Sequence, residues 1–370
     1  MAGIKTDNKE LTELINSIKP LDCDAVEKAK YRQSKLAKPP GSLGLLEDIS
    51  VRLAGISGNV KNRAEKCRVL VFCADNGIIE EGVSSAPRSV TAAQAVNMTK
   101  HLTGMSSMAA YFGNEIVVTD VGIADEYDCP QVIDQKLMRG TRNFLKEDAM
   151  DRKTCEEAIL IGARTAAAAK KDGCDAIGIG EMGIGNTSTS SAVLSVLTGL
   201  SVEAVTGRGG GLTDSAFAHK KQVLEEAIRL RGADPSDPAD VVTKLGGLDI
   251  AAMCGAFLGA AANRLPVVID GFISVVAALC AARICPEAAN YMFPSHASFE
   301  PGYRKAVEEL GLKPWLFLGM RLGEGSGCPI AFQVMKAACA AMNDMALFGE
   351  ESVIDDGYLD EIRKGDSFSI

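Results

Sequence analysis

The chain has 370 residues, a formal net charge of -9, 47% hydrophobic residues and few aromatics. That length fits one large domain with a smaller one, and the Ala/Val/Leu/Ile-rich composition favours an α/β protein. The acidity, with no basic tract to offset it, argues against nucleic acid as the main partner.

Residues 8 to 58 read as three helices, the third starting at Ser42 with Leu43, Leu46, Ile49 and Leu53 on its apolar face. Arg68 to Ala74 is a continuous apolar run, as expected of a buried parallel strand. Asp75-Asn76-Gly77 follows at that strand's C-terminal end, where α/β proteins place ligands. A long polar loop leads to a helix near Thr91, and a second strand covers Ile116 to Val121. Residues 122 to 150 read as an irregular surface excursion, and Thr154 to Lys171 as an Ala-rich helix.

The most informative stretch is DAIGIGEMGIGNTSTSSAVL, residues 175 to 194. Asp175 to Ile179 reads as a strand and Asn186 onward as a helix, with Gly180, Glu181, Gly183 and Gly185 in a turn between them. Asn186, Thr187 and Ser188 are N-cap types, and a helix start of this kind suits a phosphate. The glycines spell G-x-G-x-x-G, but Glu181 would then face a pyrophosphate, which argues against a dinucleotide. A carboxylate beside a phosphate-ready helix start points instead to a phosphorylated substrate whose reacting centre carries positive charge.

Thr206 to Asp214 is a second glycine-rich turn ahead of a helix; its Arg208 could contact a phosphate, though a lone Arg in such a loop is more often solvated, and Lys220 lies on the helix that follows. Asp249 to Ala262 reads as a small-residue helix, Pro266 to Asp270 as a strand, and Ile273 to Cys285 as a helix. The next loop holds Ser295, His296, Ser298 and Glu300, but no G-x-S-x-G elbow, so a hydrolase triad is disfavoured. Trp315 to Met320 reads as a last strand, and Pro329 to Phe348 as a long helix. Between them Glu324 sits among glycines, as Glu181 does. The eleven cysteines, none in C-x-x-C, read as reduced core residues of a cytoplasmic protein, and the three scattered histidines give no metal-ligand pattern. The apolar segment Ile250 to Cys285 is interrupted by Asn263-Arg264 and Asp270 and reads as core, and the N-terminus has no signal-type apolar region.

Taken together, KPPGSLG at residues 38–44, ADNG at 74–77, EEGVS at 80–84, the turn at 180–187, DGFI at 270–273, Ser295-His296 and the run 319–327 resemble one family. It is the nicotinate-nucleotide:dimethylbenzimidazole phosphoribosyltransferases, which prepare the lower ligand of cobamides. The resemblance covers nearly the whole chain. It implies an α/β fold with a parallel Rossmann-like sheet flanked by helices, and a small helical domain from both chain termini. The expected parts are 1–66 and 326–370 for the small domain and 67–325 for the α/β domain. It also implies a homodimer and no cofactor or metal.

By resemblance, the general base falls on Glu324 and a second active-site carboxylate on Glu181. Phosphate and ribose contacts fall on Gly183, Asn186, Thr187, Gly209, Asp270, Gly271 and Ser298. The pocket for the accepting base falls on Ser84, Ala86, Pro87, Gln94, Met182 and Leu322. The implied reaction moves phosphoribose from nicotinate mononucleotide to a benzimidazole-type base. An anionic Glu181 would stabilise the oxocarbenium centre and Glu324 would take the proton from the attacking base. The sequence departs from the family at Asn76 and Tyr303, where His is usual, and in the form of the TGRGGG loop, which leaves the preferred base open. The alternative is a non-catalytic nucleotide-phosphate-binding regulator on the same scaffold.

Overall fold

The computed structural model describes residues 4–349 together with 354, 356 and 357. Six strands form one sheet: β1 (Cys67–Ala74), β2 (Glu115–Gly122), β3 (Ile133–Asp134), β4 (Ala176–Met182), β5 (Val267–Ile269) and β6 (Met292–Pro294). Every pairing is parallel and the order is β3-β2-β1-β4-β5-β6. The order reverses between β1 and β4, and the crevice at such a switch point is where ligands bind in open α/β sheets.

β4 is buried throughout and β1 nearly so, because helices cover both faces of a parallel sheet. The Arg152–Lys171 helix packs on the Leu248–Ala262 helix, whose small residues let the two backbones approach closely. Among the described residues no helix is long and apolar enough to cross a membrane.

Contacts divide the chain into two units. The larger comprises the described residues up to Lys19 with Lys66–Ala331, and the smaller Pro20–Glu65 with the described residues from Phe332. The expected segment 1–66 therefore divides. Its first helix, Lys9–Ser17, belongs with the larger unit, where Arg164 grips the Glu10 carboxylate with two N–H bonds of 2.9 and 2.7 Å. The expected C-terminal limit at 326 moves to Phe332. Residues 350–353, 355 and 358–370 of that segment lie outside the described residues. In the smaller unit, helices Cys23–Lys35 and Leu45–Ser57 bring Ala29 and Ala54 against Met342, and Arg32 donates to the Met342 carbonyl at 2.8 Å. Gly44, not Ser42, precedes the Leu45 helix.

Three local expectations need correction. Residues 315–320 form no strand of the sheet. Leu316 makes a single bridge to His296, while Phe317 and Leu318 are exposed, so that apolar run is surface rather than core. Glu181 and Gly180 lie inside β4, paired with Phe72 and Val71, rather than in the turn after it. Gly180 is extended as part of β4, and glycine is required there because a Cβ would strike the Glu324 backbone. Finally, Gly185 in a left-handed conformation (φ 96°) precedes the Asn186–Thr198 helix, and no side chain caps that end.

Candidate active site

The loops at the C-terminal ends of β1, β4, β5 and β6 enclose a cavity of about 600 Å³ in the larger unit. Glu181, Met182, Gly183, Asn186, Thr187, Gly209, Asp270, Gly271, Ser298, Leu322 and Glu324 line it, as do Ser84, Ala86 and Gln94. Pro87 does not: it is exposed at the start of the Val90–Thr99 helix, and Val90 lines the wall instead.

One end is built to hold an anion. The uncapped helix start at Asn186 opens onto it, and Gly209 and Ser298 stand beside it. Lys220 lies behind, fully buried, its Nζ donating to Thr187 Oγ1 at 3.0 Å and to the Gly207 carbonyl at 3.3 Å. Because Thr187 accepts from Lys220, its own hydroxyl hydrogen is free for the cavity. Burial pushes the Lys220 ammonium down to about 8, with Glu300 acting the other way. A bound phosphate would favour the charged form. Lys220 carries a sequence signal: with Val223, Leu224 and Ala227 it occupies the buried stripe of its helix, a place for an apolar residue. Arg208 instead serves its own loop, bonding the Leu212 carbonyl (3.0 Å) and Asp214.

The other end concentrates carboxylates. Glu324 has φ 63° between Gly323 (φ 83°) and Gly325 (φ 86°), so three successive residues are left-handed. For a glutamate that costs roughly 1–2 kcal/mol. The surroundings hold it there. Asp270 accepts from the Gly325 and Gly327 amides at 3.0 and 2.7 Å, and Glu181 Oε1 accepts from the Glu324 amide at 3.3 Å. Asp270, expected to contact phosphate or ribose, thus spends both carboxylate oxygens on the Glu324 loop.

Asn186 donates through Nδ2 to Glu181 Oε2 and also lies 3.3 Å from Asp249 Oδ2. Asp249, which the sequence reading left out of the site, is a fully buried acid at the start of an otherwise apolar helix. Burial, then the neighbouring Asp249 charge, pushes Glu181 up to about 8; burial raises Asp249 and Asp270 to about 7. Burial beside Asp249 therefore biases Glu181 toward its protonated form, so an unconditionally anionic Glu181 is not what this site provides. A cation in the cavity would draw it back toward the charged form.

Ser295, His296 and Asp270 do meet. The Ser295 hydroxyl donates to the Asp270 carbonyl oxygen at 3.1 Å and lies 3.1 Å from His296 Nδ1. Both residues are buried outside the cavity lining, and burial lowers His296 to about 4, so no nucleophile is activated. Tyr303 stacks on His296 with ring centroids 6.5 Å apart. Asn76 is buried beneath the 183–185 turn, its Nδ2 3.4 Å from the Ile184 carbonyl, and does not line the cavity.

A family model described as DBI_PRT, phosphoribosyltransferase, matches residues 18–353. The chain belongs to this phosphoribosyltransferase family. It is 48% identical to the nicotinate-nucleotide–dimethylbenzimidazole phosphoribosyltransferase of Clostridium perfringens (strain ATCC 13124), over 97% of this chain and 99% of that protein. It is likewise 48% identical to the enzyme of the same name from Ruminiclostridium cellulolyticum, over 92% and 97%. Among solved structures, CobT from Thermus thermophilus superposes with a TM-score of 0.86 at 34% identity, covering 90% of this chain and all of that one.

Proposed function

We propose that the protein transfers the phosphoribosyl group of nicotinate mononucleotide to 5,6-dimethylbenzimidazole or a related base, giving α-ribazole 5′-phosphate and nicotinate. The observation that carries this reading is the pairing of a strained, buried Glu324 with an anion-ready helix start across one cavity. A non-catalytic regulator would have no use for a glutamate held at positive φ, and that disfavours the alternative.

The 5′-phosphate sits at the Gly183–Thr187 helix start, with Lys220 behind Thr187 and Gly209 and Ser298 at its sides. Nicotinate, bonded through a cationic ring nitrogen, leaves with the pair of the C1′–N bond and needs no proton. Positive charge develops at C1′, and the carboxylates of Glu181 and Asp249 give it a negative surrounding. The cationic substrate itself favours the charged form of Glu181, so the site becomes most anionic when the reactant is bound. The incoming base attacks C1′ from the opposite face through one imidazole nitrogen and passes the N–H proton of the other to Glu324. Asp270 keeps Glu324 in place and is a positioning residue.

A homodimer accords with the exposed Phe299, Phe317, Leu318 and Leu322 of the larger unit. Eleven free cysteines, ten of them buried, support a reducing, cytoplasmic location. The test is to incubate the protein with nicotinate mononucleotide and dimethylbenzimidazole and to measure free nicotinate and the riboside phosphate. Stoichiometric formation of both is expected; binding without turnover would overturn the reading.

A further inference from the structure

Gln94, on the Val90–Thr99 helix, reaches the cavity wall with its Nε2 3.3 Å from Glu324 Oε1. A carboxylate only accepts, so this contact fixes the amide with its NH₂ toward Glu324 and its carbonyl turned away. That carbonyl accepts from Asn97 Nδ2 at 2.8 Å, one turn along the same helix. The run from Asn97 through Gln94 to Glu324 therefore has one polarity. Reversing either amide would set oxygen against oxygen.

Glu324 is 6% exposed, and its Oε2 has no hydrogen-bond partner among the described residues. The second N–H of Gln94 is not used by Glu324 Oε1. At this wall the cavity thus offers, side by side, a group that only donates and a group that only accepts.

We propose that Asn97 is a positioning residue that holds the Gln94 amide as a donor beside Glu324, and that this pair selects bases carrying an acceptor atom next to their imidazole N–H. The inference rests on the transfer reaction above, in which Glu324 takes that proton. In benzimidazole the neighbouring ring position is a C–H, which leaves the Gln94 donor unmatched. In 4-azabenzimidazole the same position is a pyridine-type nitrogen. Nitrogen and N–H then form an acceptor–donor edge complementary to Gln94 and Glu324. The far imidazole nitrogen is free to attack C1′. One C1′–N bond forms as the bond to nicotinate breaks, and the N–H proton goes to Glu324. A site that hydrogen-bonds a substrate atom discriminates against the analogue lacking it, because its own polar group is left unpaired.

The experiment compares benzimidazole with 4-azabenzimidazole, by calorimetric binding and by kcat/KM with nicotinate mononucleotide. Ratios between variants cancel the intrinsic difference in basicity. Asn97→Asp replaces the donor by an acceptor, so two carboxylates compete for the Gln94 NH₂ and the amide is no longer held as a donor beside Glu324 alone. The azabenzimidazole-to-benzimidazole affinity ratio is then expected to fall about 3–10-fold, the size of one neutral hydrogen bond. Asn97→Ala, which frees the amide without adding a competing acceptor, gives a smaller fall in the same direction and serves if the Asp variant does not fold. Gln94→Leu lowers the ratio too, and adding Asn97→Asp to it changes the ratio no further, because Asn97 acts only through Gln94. An unchanged ratio in folded Asn97→Asp, a further fall in the double variant, or a wild type that binds neither base would each overturn the proposal. A wild type that binds both, with the ratio lowered in Asn97→Asp, but releases no nicotinate would overturn the transfer reading and uphold only the selection of the base by Gln94 and Glu324.

Discussion

Replacing Gly180 by alanine tests how tightly the Glu324 loop is seated. A Cβ at this position of β4 would lie 2.6 Å from the Glu324 carbonyl oxygen and 2.8 Å from its carbon. Ordinary contact begins near 3.4 Å, so the loop must withdraw by about 0.8 Å, because β4 is held by its pairing to β1 at this residue and to β5 just before it. A misplacement of about 1 Å in a catalytic constellation costs on the order of 10²-fold in rate. Gly180→Ala is therefore expected to lower kcat by roughly 10²-fold. The phosphate end is built on other segments, so KM for nicotinate mononucleotide should stay within a few-fold. Overpacking should also lower stability by about 1–3 kcal/mol. Steady-state kinetics with dimethylbenzimidazole, alongside thermal melting, reads both effects. A folded variant with near wild-type kcat, or one that loses nucleotide affinity at unchanged kcat, would refute the claim that the Gly180 contact sets the loop.

Other consequences follow from the charges. Lys220→Met should raise KM for nicotinate mononucleotide by about 10–100-fold, the scale of hydrogen bonding to a charged group, while changing the use of nicotinic acid riboside far less. In the wild type, nucleotide affinity should decline as pH rises beyond about 8, where the free Lys220 loses its proton; a flat profile from pH 7 to 9 would contradict this. The Glu181 carboxyl is raised from 4.5 to about 8 in the folded protein. Between those values the unfolded chain gives up a proton that the folded one keeps, so this group's contribution to stability is full below 4.5 and is lost as pH rises toward 8. Glu181→Gln should accordingly gain stability relative to wild type as pH increases over that window. Melting curves at pH 5 and pH 8 with the same difference between the two proteins would rule that out.

Much of the scaffold is visible in the sequence because buried parallel strands write themselves as apolar runs. Leu70-Val71-Phe72 and Val267-Val268-Ile269 are of this kind. β3 and β6 span two and three residues, too few for a periodic signal, and were hidden in segments that read as loops. Trp315 to Met320 has the composition of a strand and exchanges backbone hydrogen bonds with residues 295–299, but it forms only the Leu316 bridge and does not extend the sheet. Glu324 announces itself by its flanking glycines. The charge state of Glu181 does not, since it depends on burial and on Asp249, which only the fold brings near. The same holds for Asp270, whose carboxylate faces the Glu324 loop through backbone amides that no pattern reveals.

The most direct test of the account is the turnover of Glu324→Gln with nicotinate mononucleotide and dimethylbenzimidazole, followed as nicotinate released. Loss of a general base lowers kcat by roughly 10²–10⁴-fold, and that fall is expected here with nucleotide binding within a few-fold of wild type. Turnover close to wild type in a folded Glu324→Gln protein would contradict the assignment of Glu324 as the group that accepts the proton.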